Sequence, residues 1–116
     1  MFFDDKATQI EKLAKKGNSE KLVGFIHDAK PEIRIAAIKA LGVIGDDKAV
    51  NAIIGSLSDP DPATRLAAIK VAGSMSSQTL KSHLQHIIQT EKDESVKQTI
   101  REAISDIPNR NYGTKQ

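Results

Sequence analysis

Two twelve-residue stretches of this chain, PEIRIAAIKALG from Pro31 and PATRLAAIKVAG from Pro62, are near copies set 31 residues apart. Seven of the twelve positions are identical: the proline, the arginine, both alanines, an isoleucine, a lysine and the closing glycine. A copy at this spacing, followed each time by a second helical pattern, marks stacked helical units, because each unit leaves an apolar face that only its neighbour can cover. In the first copy Ile33, Ala37, Ala40, Leu41 and Ile44 share one helical face, and Ile35 and Ile38 add apolar surface to another. Two apolar faces need two neighbours, a partner helix in the same unit and the equivalent helix of the next.

At 116 residues the chain has room for one domain of three or four such units. With three Phe, one Tyr and no Trp, the core must be aliphatic and its stability spread over many contacts. The net charge of +2 comes from interleaved Lys, Arg, Asp and Glu, which does not favour a nucleic-acid partner. No cysteine is present, which removes disulfides, thiolate metal sites and cysteine nucleophiles. The start, Met1-Phe2-Phe3-Asp4-Asp5, lacks a basic flank followed by an apolar run, and no stretch is long enough to span a membrane, so a cytoplasmic protein is expected.

In chain order, the pattern predicts a first helix from Asp4 to Lys16 with Ala7, Ile10, Leu13 and Ala14 as its stripe, stopped by Gly17. Its polar character suits a terminal unit, with Phe2 and Phe3 folding over the open end of the core. A second helix is expected from Ser19 to His27, whose Leu22, Val23 and Ile26 recur as Ile53, Ile54 and Leu57. Pro31 and Pro62 suit first helical turns and Asp46 and Asp61 suit caps; the helix from Pro31 is read as ending at Gly42-Val43-Ile44-Gly45, and the helix from Pro62 as running to about Ser74, where Ser74-Met75-Ser76-Ser77 replaces the glycine turn. Ser76 or Ser77 should cap a helix running to about Thr90, slightly longer than its predecessors and slipped by about one residue. A last helix from Glu94 to Ile107, with Val96, Ile100, Ala103 and Ile104 inward and a polar outer face, reads as a C-terminal cap. Residues 1–107 then form one domain, and residues 108–116 a flexible tail.

The segment Ile33 to Asp46, together with Ala49-Val50, Ile53-Ile54 and Leu57 to Asp61, resembles the HEAT repeat family and within it the short HEAT-like, phycobilin-lyase-type branch. The resemblance implies an all-α, right-handed α-solenoid (α/α superhelix) of about three and a half two-helix repeats. It also implies a ladder between repeats in which Asp28 and Asp59 engage Arg34 and Arg65, and partner binding on the surface of the second helices.

On that surface the residues off the apolar stripes are Lys21, Gly24 and Phe25, then Lys48, Asn51, Ala52, Gly55 and Ser56, then Lys81, Ser82, Gln85, His86 and Gln89. Partner binding is assigned to Lys21, Phe25, Lys48, Asn51, Ala52, Lys81, Gln85 and Gln89, with Phe25 as anchor over a shallow groove of small residues. The alternative for Phe25 is a tuck between repeats. His83 and His86 have a spacing that could share a metal, but no third ligand lies nearby in sequence, so no metal or cofactor is assigned. Deoxyhypusine hydroxylase, a repeat enzyme, holds iron through His-Glu pairs, and the matching positions here are Pro31-Glu32, Pro62-Ala63 and Glu94-Ser95. The paired carboxylates lie at helix starts, where capping accounts for them. The expectation is a non-catalytic, monomeric protein-interaction module or scaffold. The alternatives are an accessory subunit of a phycobilin-lyase-like enzyme and weak phosphate binding through Lys21, Lys48 and Lys81.

Overall fold

Short polar side chains start almost every helix. In the computed structural model, which describes residues 5–109, α1 is Lys6–Lys15, α2 Ser19–Val23, α3 Pro31–Ile44, α4 Asp47–Ser56, α5 Pro62–Gly73, α6 Gln78–Ile87 and α7 Glu94–Asp106. The side chains of Asp5, Asn18, Asp46, Asp61, Ser77 and Asp93 each accept a hydrogen bond from a backbone N–H of the following turn, at 2.8 to 3.2 Å. Only α3 starts without a side-chain cap, and there Pro31 removes one of the donors that would need satisfying.

Two layers result. Helices α1, α3, α5 and α7 pack side by side in one, α2, α4 and α6 in the other, and each second-layer helix contacts the first-layer helix on either side of it in sequence. The 31-residue period runs straight through the core between them. Ile10, Leu41, Ala72 and Ala103 are equivalent positions and all buried, as are Leu22, Ile53 and Leu84 in the second layer. Among the described residues there are seven helices and no strand, the α-solenoid architecture expected from the repeat.

Three expectations need correcting. Helix α2 stops at Val23, and the chain continues to Asp28 in turns closed by i to i+3 bonds such as Phe25 N–H to Leu22 O at 2.9 Å. This still buries Ile26. Helix α6 is no longer than α4, at ten residues each, and shows no slip: Asp46 and Ser77, Ala49 and Leu80, and Ile53 and Leu84 all stand 31 apart in matching roles. Ala7 is exposed and does not join the α1 stripe; it borders a surface hollow with Glu32 and Ile33 of α3.

The ends of the repeated helices fall where the sequence puts them, with Gly45 closing α3 and Ser74 closing α5. Gly42 lies inside α3 and Gly73 is the last residue of α5, and both serve contact between helices. A Cβ on Gly42 would overlap Val71 Cγ1, and one on Gly73 would lie 2.9 Å from Ala103 Cα. The turn role belongs to Gly45 at φ 68°, and 31 residues later Ser76 takes the same left-handed conformation at φ 55°. Phe2 and Phe3, and the tail beyond Asn109, lie outside the described residues.

Candidate functional site

The short α2 leaves a depression on each side of it. Toward α4, Val23 and Ala52 form the floor and Glu20, Lys48 and Asn51 the rim of a hollow of about 410 Å³. Toward α1, Leu13, Gly24 and Phe25 lie beneath Gln9, Lys12, Lys16, Glu20 and Lys21 in a hollow of about 530 Å³. Phe25 is half-buried, packs against the core and lines this second hollow, so it combines the tuck and the surface contact that sequence treats as alternatives. Leu13, Lys16, Glu20 and Val23 were not selected from sequence. Their signal is Gly17-Asn18, which delays the start of α2 by three residues relative to α4 and α6.

The assigned residues divide into groups. Lys21, Lys48 and Asn51 are exposed at the two hollows. Ala52, expected off the apolar stripe, is only 8% exposed, because the small side chain lets α4 rotate it toward α2 as floor. Ser56 is buried as well, at the place equivalent to Phe25, and its hydroxyl has no hydrogen-bond partner among the described residues. Gln85 and Gln89 are exposed and line neither hollow.

Lys81 is engaged within the chain. Its Nζ donates at 2.7 Å to both Ile107 O and Asn109 Oδ1, while Gln78 Nε2 donates to Pro108 O at 2.6 Å. The lysine stem reaches across the end of α7, so its charge satisfies oxygen acceptors there. The same bonds fasten Pro108 and Asn109, which sequence placed in the tail, to α6.

Electrostatics sharpen the first hollow. Lys48 Nζ lies 3.4 Å from Glu20 Oε1 across it, an exposed pair. Below the rim, the buried Ser19 donates its hydroxyl to Asp46 Oδ2 at 2.7 Å, joining the start of α2 to the cap of α4. That hydroxyl, with the Ala49 amide, holds the Asp46 carboxyl below the ordinary carboxylate range.

The arginine ladder exists with different partners from those expected. Arg34 Nη1 donates to the backbone carbonyl of Asp28 at 2.7 Å, and its Nη2 and Nε reach forward to Asp61 Oδ2 and Thr64 Oγ1, each at 3.2 Å. Arg65 Nη1 likewise donates to Asp59 O at 3.0 Å, and its Nε stands 4.0 Å from Glu91 Oε1. The carboxylates of Asp28 and Asp59 accept instead from the amides two residues on, Lys30 and Asp61, in turns that this side chain favours. Both arginines are thus structural fasteners. His83 and His86 are exposed, and among the described residues no group of three or more His, Asp or Glu could hold a metal.

No described helix is long and apolar enough to cross a membrane. A search of curated proteins finds no match to this chain. The family model for HEAT repeats matches residues 19–105, without singling out the phycobilin-lyase-type branch. That span takes in α2 to α6 and all but the last residue of α7. With the two-layer stack and its 31-residue core rows, the match places the chain in the HEAT repeat family.

Proposed function

We propose that the chain is a non-catalytic protein-interaction module that presents the α2–α4 surface to another protein. The observation that carries this reading is the hollow between α2 and α4, with an apolar floor at Val23 and Ala52 inside a polar rim. Such a site offers a partner both area and hydrogen bonds. The two-layer packing holds the surface rigid, so little ordering is needed on binding. HEAT repeats commonly serve as scaffolds of this kind. Residues 1–107 act as one domain in this reading, with the chain after it as a tail. The phosphate reading has less support, because Lys48 faces Glu20 and Lys81 is committed to the chain after α7.

A photo-crosslinking side chain placed at Asn51, compared with one at Lys39 on α3, tests the surface. In native extract, a protein captured at 51, absent at 39 and lost on adding Lys48→Glu supports the reading. Equal capture at both positions, or none at 51, refutes it.

A further inference from the structure

The hollow between α1 and α2 has a meaning that the repeat itself supplies. Ala52 of α4 faces α2, and its equivalent 31 residues earlier is Lys21, which lines this hollow. The hollow therefore lies on the side of α2 that corresponds to the side of α4 on which α2 sits. A second helix of a preceding repeat would lie there. The residues have changed with it: Lys21 stands where α4 has a small apolar residue, and Lys12 of α1 and Lys16 just after that helix stand on the opposite rim. Glu20, the one acid among the described residues lining it, lies 3.4 Å from Lys48. Beneath the lysines, Leu13 and Phe25 are half-buried against the core, and Gly24 leaves the space above them open.

We propose that this hollow binds an acidic amphipathic helix from another protein, seated where a preceding second helix would lie. Its Asp and Glu residues face Lys16 and Lys21, and its apolar stripe covers Leu13, Gly24 and Phe25. The half-buried floor favours an apolar helix face over a nucleic acid, which would need exposed aromatic rings for stacking and a longer basic track. The inference rests on the interaction-module reading and adds the partner's chemistry and a second place of contact.

The test is selection of binders from a displayed library of random 16-residue peptides, using the whole chain as bait. The enriched peptides should carry net negative charge and Leu, Ile, Phe or Met at helical spacing. Their amide shifts on the protein should centre on Leu13, Lys21, Gly24 and Phe25. Lys16→Glu with Lys21→Glu should weaken them roughly tenfold or more, as two reversed contacts at an exposed interface imply. Lys39→Glu, the same charge change outside the hollow, should leave them unchanged. Neutral or basic consensus peptides, no enrichment, shifts elsewhere, or tighter binding of a 16-nucleotide single-stranded DNA would each overturn the proposal. Where these occur while the crosslink at position 51 still captures its protein, the acidic-helix assignment fails and the interaction-module reading stands.

Discussion

Gly73→Ala isolates the force that sets the spacing of the first-layer helices. The glycine ends α5 against α7, where an added Cβ would sit 2.9 Å from Ala103 Cα and 3.0 Å from Ala103 Cβ. Comfortable carbon contacts lie at about 3.5–4.0 Å, so the helices would have to part by roughly half an ångström or more. The blocking atoms belong to backbone and to an alanine stub, which no rotamer change can move. Overpacking of this kind costs about 1–3 kcal/mol, and the better helix propensity of alanine returns up to about 1 kcal/mol. A net loss of about 1–2 kcal/mol follows, or roughly 5–10 °C in Tm for a domain of this size. Gly55→Ala is the matched control. Gly55 lies within α4 with open space where its Cβ would go, and alanine there should stabilise by about 0.4–1 kcal/mol. Urea unfolding of both variants measures the difference, and hydrogen exchange should show the Gly73→Ala loss concentrated in α6 and α7, the last unit of the stack. If Gly73→Ala proves as stable as Gly55→Ala, or loosens α1 and α2 first, the close-approach argument is wrong.

Three other outcomes follow from the same structure. Ser76 holds a left-handed conformation where the preceding repeat has Gly45, so Ser76→Gly should raise stability by about 0.5–1 kcal/mol after the entropy cost of glycine is subtracted, and a lowered urea midpoint would contradict this. Lys81→Met keeps the stem and removes the donor to Ile107 O and Asn109 Oδ1; it should cost about 1–2 kcal/mol and speed proteolysis after α7, whereas unchanged cleavage would show the fastening to be idle. Acid should weaken the fold through its hydrogen-bonded aspartates. Asp5, Asp28, Asp46, Asp61 and Asp93 all have carboxyl pKa values lowered by hydrogen bonds, led respectively by the Thr8 amide, the Lys6 ammonium and the hydroxyls of Ser19, Thr64 and Ser95. The unfolded chain then binds more protons in acid, so stability is full above the unfolded value of about 3.9 and falls as pH drops through it toward the lower folded values. Asp46→Asn keeps a capping side chain and should flatten this acid limb in urea titrations at pH 3 and 7; a limb as steep as wild type would remove Asp46 from the account.

The features legible in the sequence are those made within one turn of chain. Caps at Asp46, Asp61 and Ser77, prolines at Pro31 and Pro62, and the period that puts Leu22, Ile53 and Leu84 in one row depend on neighbours three, four or 31 positions away, and all of these can be counted. The all-α repeat fold follows from them. What sequence left open was the rotation of each helix against the next repeat. That rotation made Ala52 a floor and buried Ser56, and it placed Gly42 and Gly73 at helix contacts. Alanine, serine and glycine fit a surface, a core or a turn, so hydropathy carries no signal for choosing among them.

Long side chains were undecided for a related reason. Lys81 could reach solvent or the carbonyl beyond α7, and Arg34 could take the Asp28 carboxylate or its carbonyl and Asp61. Such a choice depends on which acceptor the packed helices bring within about 3 Å of the charged end, a distance set only when the repeats have stacked. The sequence by itself determined the repeat, its helices and most of their caps. The tertiary structure decided the close approach of neighbouring repeats, the partners of the charged side chains and the two hollows beside the shortened α2, because each depends on atoms from different repeats meeting in space.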